Sequence, residues 1–169
     1  MSKDYTFNPG DFVVYPAHGV GQVTDRKTTT IGEQTIDCIC IHFNKNDMTM
    51  QIPAQKALNS GLRQVATPVM MEAAEKVLCK KVKPKRVQWN KRNAEYTAKI
   101  GTGEPVALAE VIREVYKDPT ISNQTSSEKE VYEKARDRLA AEYAVIYKMS
   151  EADACCKIEC LLKGEVSAK

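Results

Sequence analysis

The apolar positions of this chain change period once. Up to about residue 60 they come in short bunches or alternate by twos, and from Val69 onward they recur every three or four. Asn8-Pro9-Gly10-Asp11 is a turn signal, and Phe12-Val13-Val14-Tyr15 after it reads as a short strand that Pro16 ends. Ala17-His18-Gly19 connects tightly to a second strand, Val20 to Lys27, in which Gly21 predicts a bulge or strong curvature. Thr28 to Ile31 continues in extended form, and Gly32-Glu33 turns the chain. Gln34 to Phe43 is read by parity. Ile36, Cys38, Cys40 and His42 share one face, and Asp37, Ile39, Ile41 and Phe43 share the other, so both faces are partly apolar, as in a central strand of a bent sheet. Asn44 to Asp47 turns into a further strand, Met48 to Ile52, closed by Pro53. No part of this stretch carries a helical period. Four or five short strands joined by hairpin turns predict a small antiparallel barrel.

Composition shifts around Gly61–Pro68, which sets the expected domains at 1–67 and 68–169. Val69, Met70, Ala73, Ala74, Val77 and Leu78 have helical spacing, and Pro84 prevents that helix from running through the segment beyond it. A second helix is expected from Asn90 to Ile100, ending near Gly101-Thr102-Gly103. Glu104-Pro105 starts a third, with Val106, Leu108, Ala109, Ile112, Val115 and Tyr116 on its apolar face. After Asp118-Pro119 and a polar loop over 120–126, Ser127 with Glu130 reads as the capping box of a long helix striped by Val131, Ala135, Leu139, Ala140, Tyr143, Ile146 and Tyr147. Ser150 with Asp153 caps a last helix carrying Ala154, Ile158, Leu161 and Leu162, which Gly164 stops. The expected class is α+β: a small antiparallel β barrel followed by a bundle of about five helices.

Charge sharpens this picture because it is uneven. The net charge of +3 is ordinary, but residues 79–99 hold eight basic side chains against Glu95 alone, whereas 1–68 balance and 100–169 are net acidic. Lys80, Lys81, Lys83, Lys85, Arg86, Lys91 and Arg92 crowd around the only tryptophan, Trp89, and no acidic residue interrupts Lys80–Arg92. Such a patch is suited to phosphates, and a flat apolar ring beside it can wedge into a base step or stack on an unpaired base. The competing reading makes Trp89 a core residue and the charges a solvated connector.

Other chemistry is thin. His18 has no partnered nucleophile pattern nearby and reads as structural. Cys38, Cys40 and His42 share a strand face but lack the paired spacings of a structural zinc site, so burial of small thiols is preferred. Cys155, Cys156 and Cys160 sit within about one helical turn and read as packing residues. No phosphate-binding glycine loop, zinc-protease motif or nucleophile elbow occurs, so neither an enzyme nor a cofactor is expected. The first residues lack the apolar core of a secretory signal, and no run approaches the ~18–20 apolar residues of a membrane span; a cytoplasmic protein with reduced thiols and no membrane partner is expected.

Asp11-Phe12-Val13-Val14-Tyr15-Pro16-Ala17-His18-Gly19-Val20-Gly21-Gln22-Val23 resembles the opening of the CarD/CdnL family of bacterial transcription regulators. Gly32-Glu33, the Met48–Pro53 strand, Val87-Gln88-Trp89-Asn90-Lys91-Arg92, Ala109-Glu110-Val111-Ile112-Arg113 and Glu133-Lys134-Ala135-Arg136 follow in the family's order, so the resemblance spans the chain. A similar barrel occurs in the transcription-repair coupling helicase, but the helicase motors are missing here.

The resemblance implies a Tudor-like domain that docks on the RNA polymerase β subunit by strand-edge pairing, and a helical domain on promoter DNA at the upstream edge of the bubble. It implies that the protein acts as a monomer and makes no sequence-specific DNA contact. Trp89 would wedge into the minor groove, flanked by Lys91 and Arg92, and so stabilise the open complex. Two positions depart from the family: Gln51 and Ala94 stand where basic residues are frequent. The polymerase contact is therefore expected at Arg26, Lys27, Thr28, Thr49 and Gln51. The DNA contact is expected at Trp89, Lys91 and Arg92 with Lys83, Lys85 and Arg86, and secondarily at Lys129 and Lys134. An RNA- or ribosome-binding module is the alternative from another class.

Overall fold

A computed structural model describes residues 6–83, 86–118 and 124–164. The expectations placed on Pro84, Lys85, Pro119 and the polar loop up to 123 lie outside these residues. The chain divides into two compact units between Val65 and Ala66.

The first unit is a five-stranded antiparallel sheet: β1 (Phe12–Tyr15), β2 (Gly19–Ile31), β3 (Gln34–Phe43), β4 (Met48–Pro53) and β5 (Arg63–Gln64), in the order β4-β3-β2-β1-β5. A 3₁₀ turn (Asn44–Asn46) leads to Asp47, which takes the left-handed conformation at φ 46°, and a short helix α1 (Ala54–Ala57) follows β4. Its four residues are too few to show a period, which is why the apolar pattern does not announce it. The sheet is open, not the closed barrel expected. β4 pairs with β3 only and the two-residue β5 with β1 only, so among the described residues no ladder joins the two ends.

Parity in β3 is as the alternation requires. Ile39, Ile41 and Phe43 are buried, and with Val13, Val23 and Ile52 they build the core of this unit. The kink in β2 is not at Gly21. The register slips between Val23 and Asp25, so Thr24 is the extra residue of a bulge, and its hydroxyl donates to the Cys40 carbonyl at 3.3 Å. Gly21 serves a different need: a Cβ there would lie 2.7 Å from Ile41 Cγ2 and 2.8 Å from the Phe43 ring. His18 lies between Tyr15 and Phe43, with ring centroids 5.6 and 5.4 Å away.

Among the described residues the second unit is five helices: α2 (Pro68–Cys79), α3 (Trp89–Thr102), α4 (Pro105–Val115), α5 (Ser126–Tyr147) and α6 (Glu151–Lys163). Leu108, Ala109, Val111 and Ile112 of α4 and Ala135, Leu139 and Ala140 of α5 are almost wholly removed from water and form its centre. The inward face of α2 is Met71, Ala74 and Leu78, not the whole apolar set; Val69 and Met70 at its first turn face solvent. Tyr143 donates to Glu75 at 2.6 Å, tying α5 to α2. Buried Glu142 accepts the Ala66 N–H at 2.6 Å, which attaches the first residue of the unit to α5.

The helix ends follow local chemistry, with one correction. Ser150 accepts from the Asp153 N–H and Gly164 ends α6 in the left-handed conformation, as expected. The capping box of α5 is Thr125 with Glu128, not Ser127 with Glu130. The segment Thr-Ser-Ser-Glu-Lys-Glu offers both registers. The one that wins places Glu128 where Lys117 meets it at 2.8 Å. Burial pushes the Glu128 carboxyl up, but the Lys117 ammonium and the Thr125 N–H outweigh that and hold it below its ordinary value of 4.5.

Two outcomes are expected. Gly21→Ala must displace Ile41 or Phe43 and lowers the urea unfolding free energy by about 1–3 kcal/mol; an unchanged midpoint contradicts the close approach. Because the folded pKa of Glu128 is depressed, its contribution is complete above the ordinary glutamate value and is lost as pH falls through the folded value. Acid titration of Tm should therefore show a limb below pH 4.5 that flattens in Glu128→Gln.

Candidate nucleic-acid interface

Trp89 is the first residue of α3, after Gln88 in the N-cap position. No side chain caps this terminus and its first turn has no acidic residue, so the positive end of the helix dipole adds to Lys91 and Arg92. The indole is half-buried. It packs on the helical core with its centroid 6.2 Å from that of Tyr96, and the Arg92 guanidinium lies over it at 5.4 Å. The core reading of Trp89 is realised in part: one part of the ring packs on the helical core and the rest meets solvent.

Tyr96, two turns along α3, is the seat. It is 1% exposed and its hydroxyl donates to Glu114 of α4 at 2.9 Å. Burial, then the Glu114 carboxylate, push the phenol up to about 12, so it remains a donor at neutral pH. Lys99 reaches Glu110 at 2.9 Å and clamps the same pair of helices one turn further. Arg113 donates to the carbonyls of Lys80 and Leu162, gathering the ends of α2 and α6 beside α4.

Of the residues singled out for DNA, Lys83, Trp89 and Arg92 line one cleft. Lys91 and Arg86 are exposed, and Lys85 lies outside the described residues. Lys129 and Lys134 do not line the cleft, and each is matched to a carboxylate one turn away, Glu133 at 4.0 Å and Glu130 at 2.8 Å. Sequence reasoning did not single out Tyr96 or Glu114; it read Tyr116 only as part of an apolar helix face and Arg113 only as the end of the Ala109–Arg113 segment.

In the first unit the structure divides the polymerase set. Thr49 pairs with His42 and Gln51 with Cys40, while Lys27 pairs with Cys38, so these three lie on one sheet face. Arg26 pairs with Ile39 and Thr28 with Asp37, on the other face, and the Thr28 hydroxyl donates to Asp37 at 3.0 Å. All five are exposed. β4 carries Thr49 and Gln51 at an end of the sheet, with its outer edge unpaired among the described residues.

Among the described residues, no group of three or more His, Cys, Asp or Glu could hold a metal, and no helix is long and apolar enough to cross a membrane. Among the described residues the molecule is thus a small antiparallel sheet unit followed by a helical unit with a cationic, aromatic-tipped helix start. Family models agree: the CarD-like/TRCF RID domain matches residues 7–66 and the CarD C-terminal domain residues 73–159. The chain belongs to the CarD/CdnL family. It is 28% identical over 145 residues to YdeB of Bacillus subtilis (strain 168), titled as a candidate transcription factor, covering 86% of this chain and 95% of that one. The NMR structure of the 72-residue N-terminal domain of Myxococcus xanthus CarD aligns with 25% identity and a TM-score of 0.31, covering 37% of this chain and 84% of that one.

Because Trp89 is also a packing residue, Trp89→Ala is expected to lower the stability of the helical unit by about 1–3 kcal/mol, less than truncation of a fully buried ring. Chemical denaturation followed by far-UV circular dichroism measures this, and no change in midpoint would mean that the ring is not seated on Tyr96.

Proposed function

We propose that this transcription regulator docks on the RNA polymerase β subunit through the β4 edge and holds the open promoter complex with the start of α3. The observation that carries this reading is the build of that helix start. A half-buried indole backed by Tyr96 stands at an uncapped, cation-flanked N-terminus with no acidic residue in its first turn. A ring held from behind cannot fold away when pressed against a base step, and the helix dipole with Lys91 and Arg92 suits the adjoining phosphates. Such a contact reads no sequence, because phosphates and groove shape carry it. It stabilises melted DNA to the extent that it binds the fork better than the duplex.

Polymerase docking is supported by the CarD-like/TRCF RID match and by an exposed edge strand whose outward residues, Thr49 and Gln51, are polar. Backbone pairing along such an edge supplies affinity and alternate side chains supply specificity. Acting through polymerase, the protein would work as a monomer in the cytoplasm, at promoters the polymerase chooses.

Forked and fully paired DNA, titrated below the unfolding temperature of each variant, test the wedge. Trp89→Ala should reduce the preference for the fork several-fold and shorten open-complex lifetime, with β-subunit pull-down unchanged. Equal losses on fork and duplex would sink it. Lys91→Gln should lower the salt slope of DNA binding by about one unit. Thr49→Glu with Gln51→Glu should abolish the pull-down and leave fork affinity intact. Retained RNA binding with no β-subunit capture by the parent chain would favour the RNA-binding alternative instead.

A further inference from the structure

Val82 and Val87 are 44% and 46% exposed, and neither packs on the helical core. Both belong to the segment that leads into α3, and both stand beside cations: Lys81 and Lys83 on either side of Val82, and Arg86 just before Val87. Val87 directly precedes the N-cap residue Gln88, a place from which an apolar side chain often packs on the fourth residue of the helix. That fourth residue is Arg92, whose guanidinium lies over the Trp89 ring instead. Val82 lines the same cleft as Trp89, two residues beyond Lys80, whose carbonyl accepts from Arg113. The two valines thus precede the half-buried indole on a segment tied to the helical core at Lys80 and at Trp89.

Charge narrows what can cover them. From Lys80 to Arg92 no acidic residue occurs, and Lys80, Lys81, Lys83, Arg86 and Lys91 are exposed. The other exposed apolar side chains of the helical unit lie in the opposite field. Val69 and Met70 precede Glu72 on α2, and the phenol of Tyr147 is pushed up by burial and then by the Glu75 and Glu72 carboxylates. The partner of Val82 and Val87 must therefore present anionic and apolar groups by turns. A membrane surface suits a helix with one continuous apolar face, whereas here the apolar groups come singly between charges. A nucleic-acid strand alternates phosphate with sugar along its length, which matches that pattern. We propose that Val82 and Val87 form an apolar shoulder to the Trp89 wedge and cover sugar edges of the DNA strand whose phosphates the neighbouring cations hold. The shoulder rests on the DNA reading of the α3 start and adds a contact which that reading lacks. Fork and duplex both offer sugars, so the shoulder adds affinity without preferring either, and it displaces no counterions.

The test uses the full chain with Val82→Thr, Val87→Thr and both together. Each change exchanges a methyl for a hydroxyl at an exposed position, where substitution alters stability little, so Tm should match that of the parent. Forked DNA, fully paired DNA and vesicles of anionic phospholipid are each titrated over a salt series. DNA affinity should fall about two- to fourfold in each single variant and up to about tenfold in the double variant. The loss should be equal on fork and duplex, with the salt slope unchanged. These readouts separate the shoulder from its neighbours, because Trp89→Ala alters the ratio of fork to duplex and Lys91→Gln alters the slope. Undiminished DNA affinity in the double variant overturns the proposal. A loss confined to forks also overturns it, by making the valines part of the wedge, and so does a loss with a lower slope, by making them spacers for the lysines. Vesicle binding that the double variant loses while DNA affinity stays intact assigns the two valines to a membrane instead. A parent chain that binds neither DNA removes the DNA reading itself, so that failure is distinguishable from failure of the shoulder alone.

Discussion

The hydrogen bond from Tyr96 to Glu114 anchors the cationic end of the helical unit. α3 is fourteen residues long yet buries only Tyr96 and Ile100, so it lacks the continuous apolar stripe that fixes α4 and α5 by packing alone. A helix so sparsely anchored is free to slide unless a directional contact sets its register, and a buried phenol on a carboxylate does that. Trp89 then rests on Tyr96, and Arg92 rests on Trp89. The cationic tip is therefore a stack built outward from one buried contact. The Lys99–Glu110 pair, partly exposed, supports it with less energy.

The sheet unit solves a different problem. Its centre is β3, hydrogen-bonded on both sides and buried along Ile39, Ile41 and Phe43, which leaves β4 as a regular edge with polar residues turned outward. Gly21 lets β2 lie close to that core, and the bulge at Thr24 changes the face of everything beyond it, so that Lys27 rather than Arg26 joins Thr49 and Gln51. An extra residue in one strand thus decides which charge belongs to the candidate docking face. An open edge is an aggregation hazard in a protein that never fills it, and a suitable platform in one that carries a partner there.

Where local chemistry had one answer, the sequence was legible. Ser150 with Asp153, Gly164 after α6, Pro105 in the first turn of α4 and the parity of β3 all act over a few residues, and the structure agrees with each. Where two local answers were equally good, tertiary contacts chose. Thr125–Glu128 displaced Ser127–Glu130 because it alone buries Glu128 against Lys117. Gly21 reads as a bulge from sequence because a glycine in a strand has several uses, and only the nearness of Ile41 and Phe43 says which applies.

The candidate site divides along the same line. The sequence by itself determined that a dense cationic segment surrounds one tryptophan at a helix start, because charge and helix punctuation are read along the chain. The seating of that tryptophan on Tyr96 and the gathering of helix ends by Arg113 were decided only by the tertiary structure. Each of these joins groups on different turns or different helices, and no spacing along the chain encodes which of them meet.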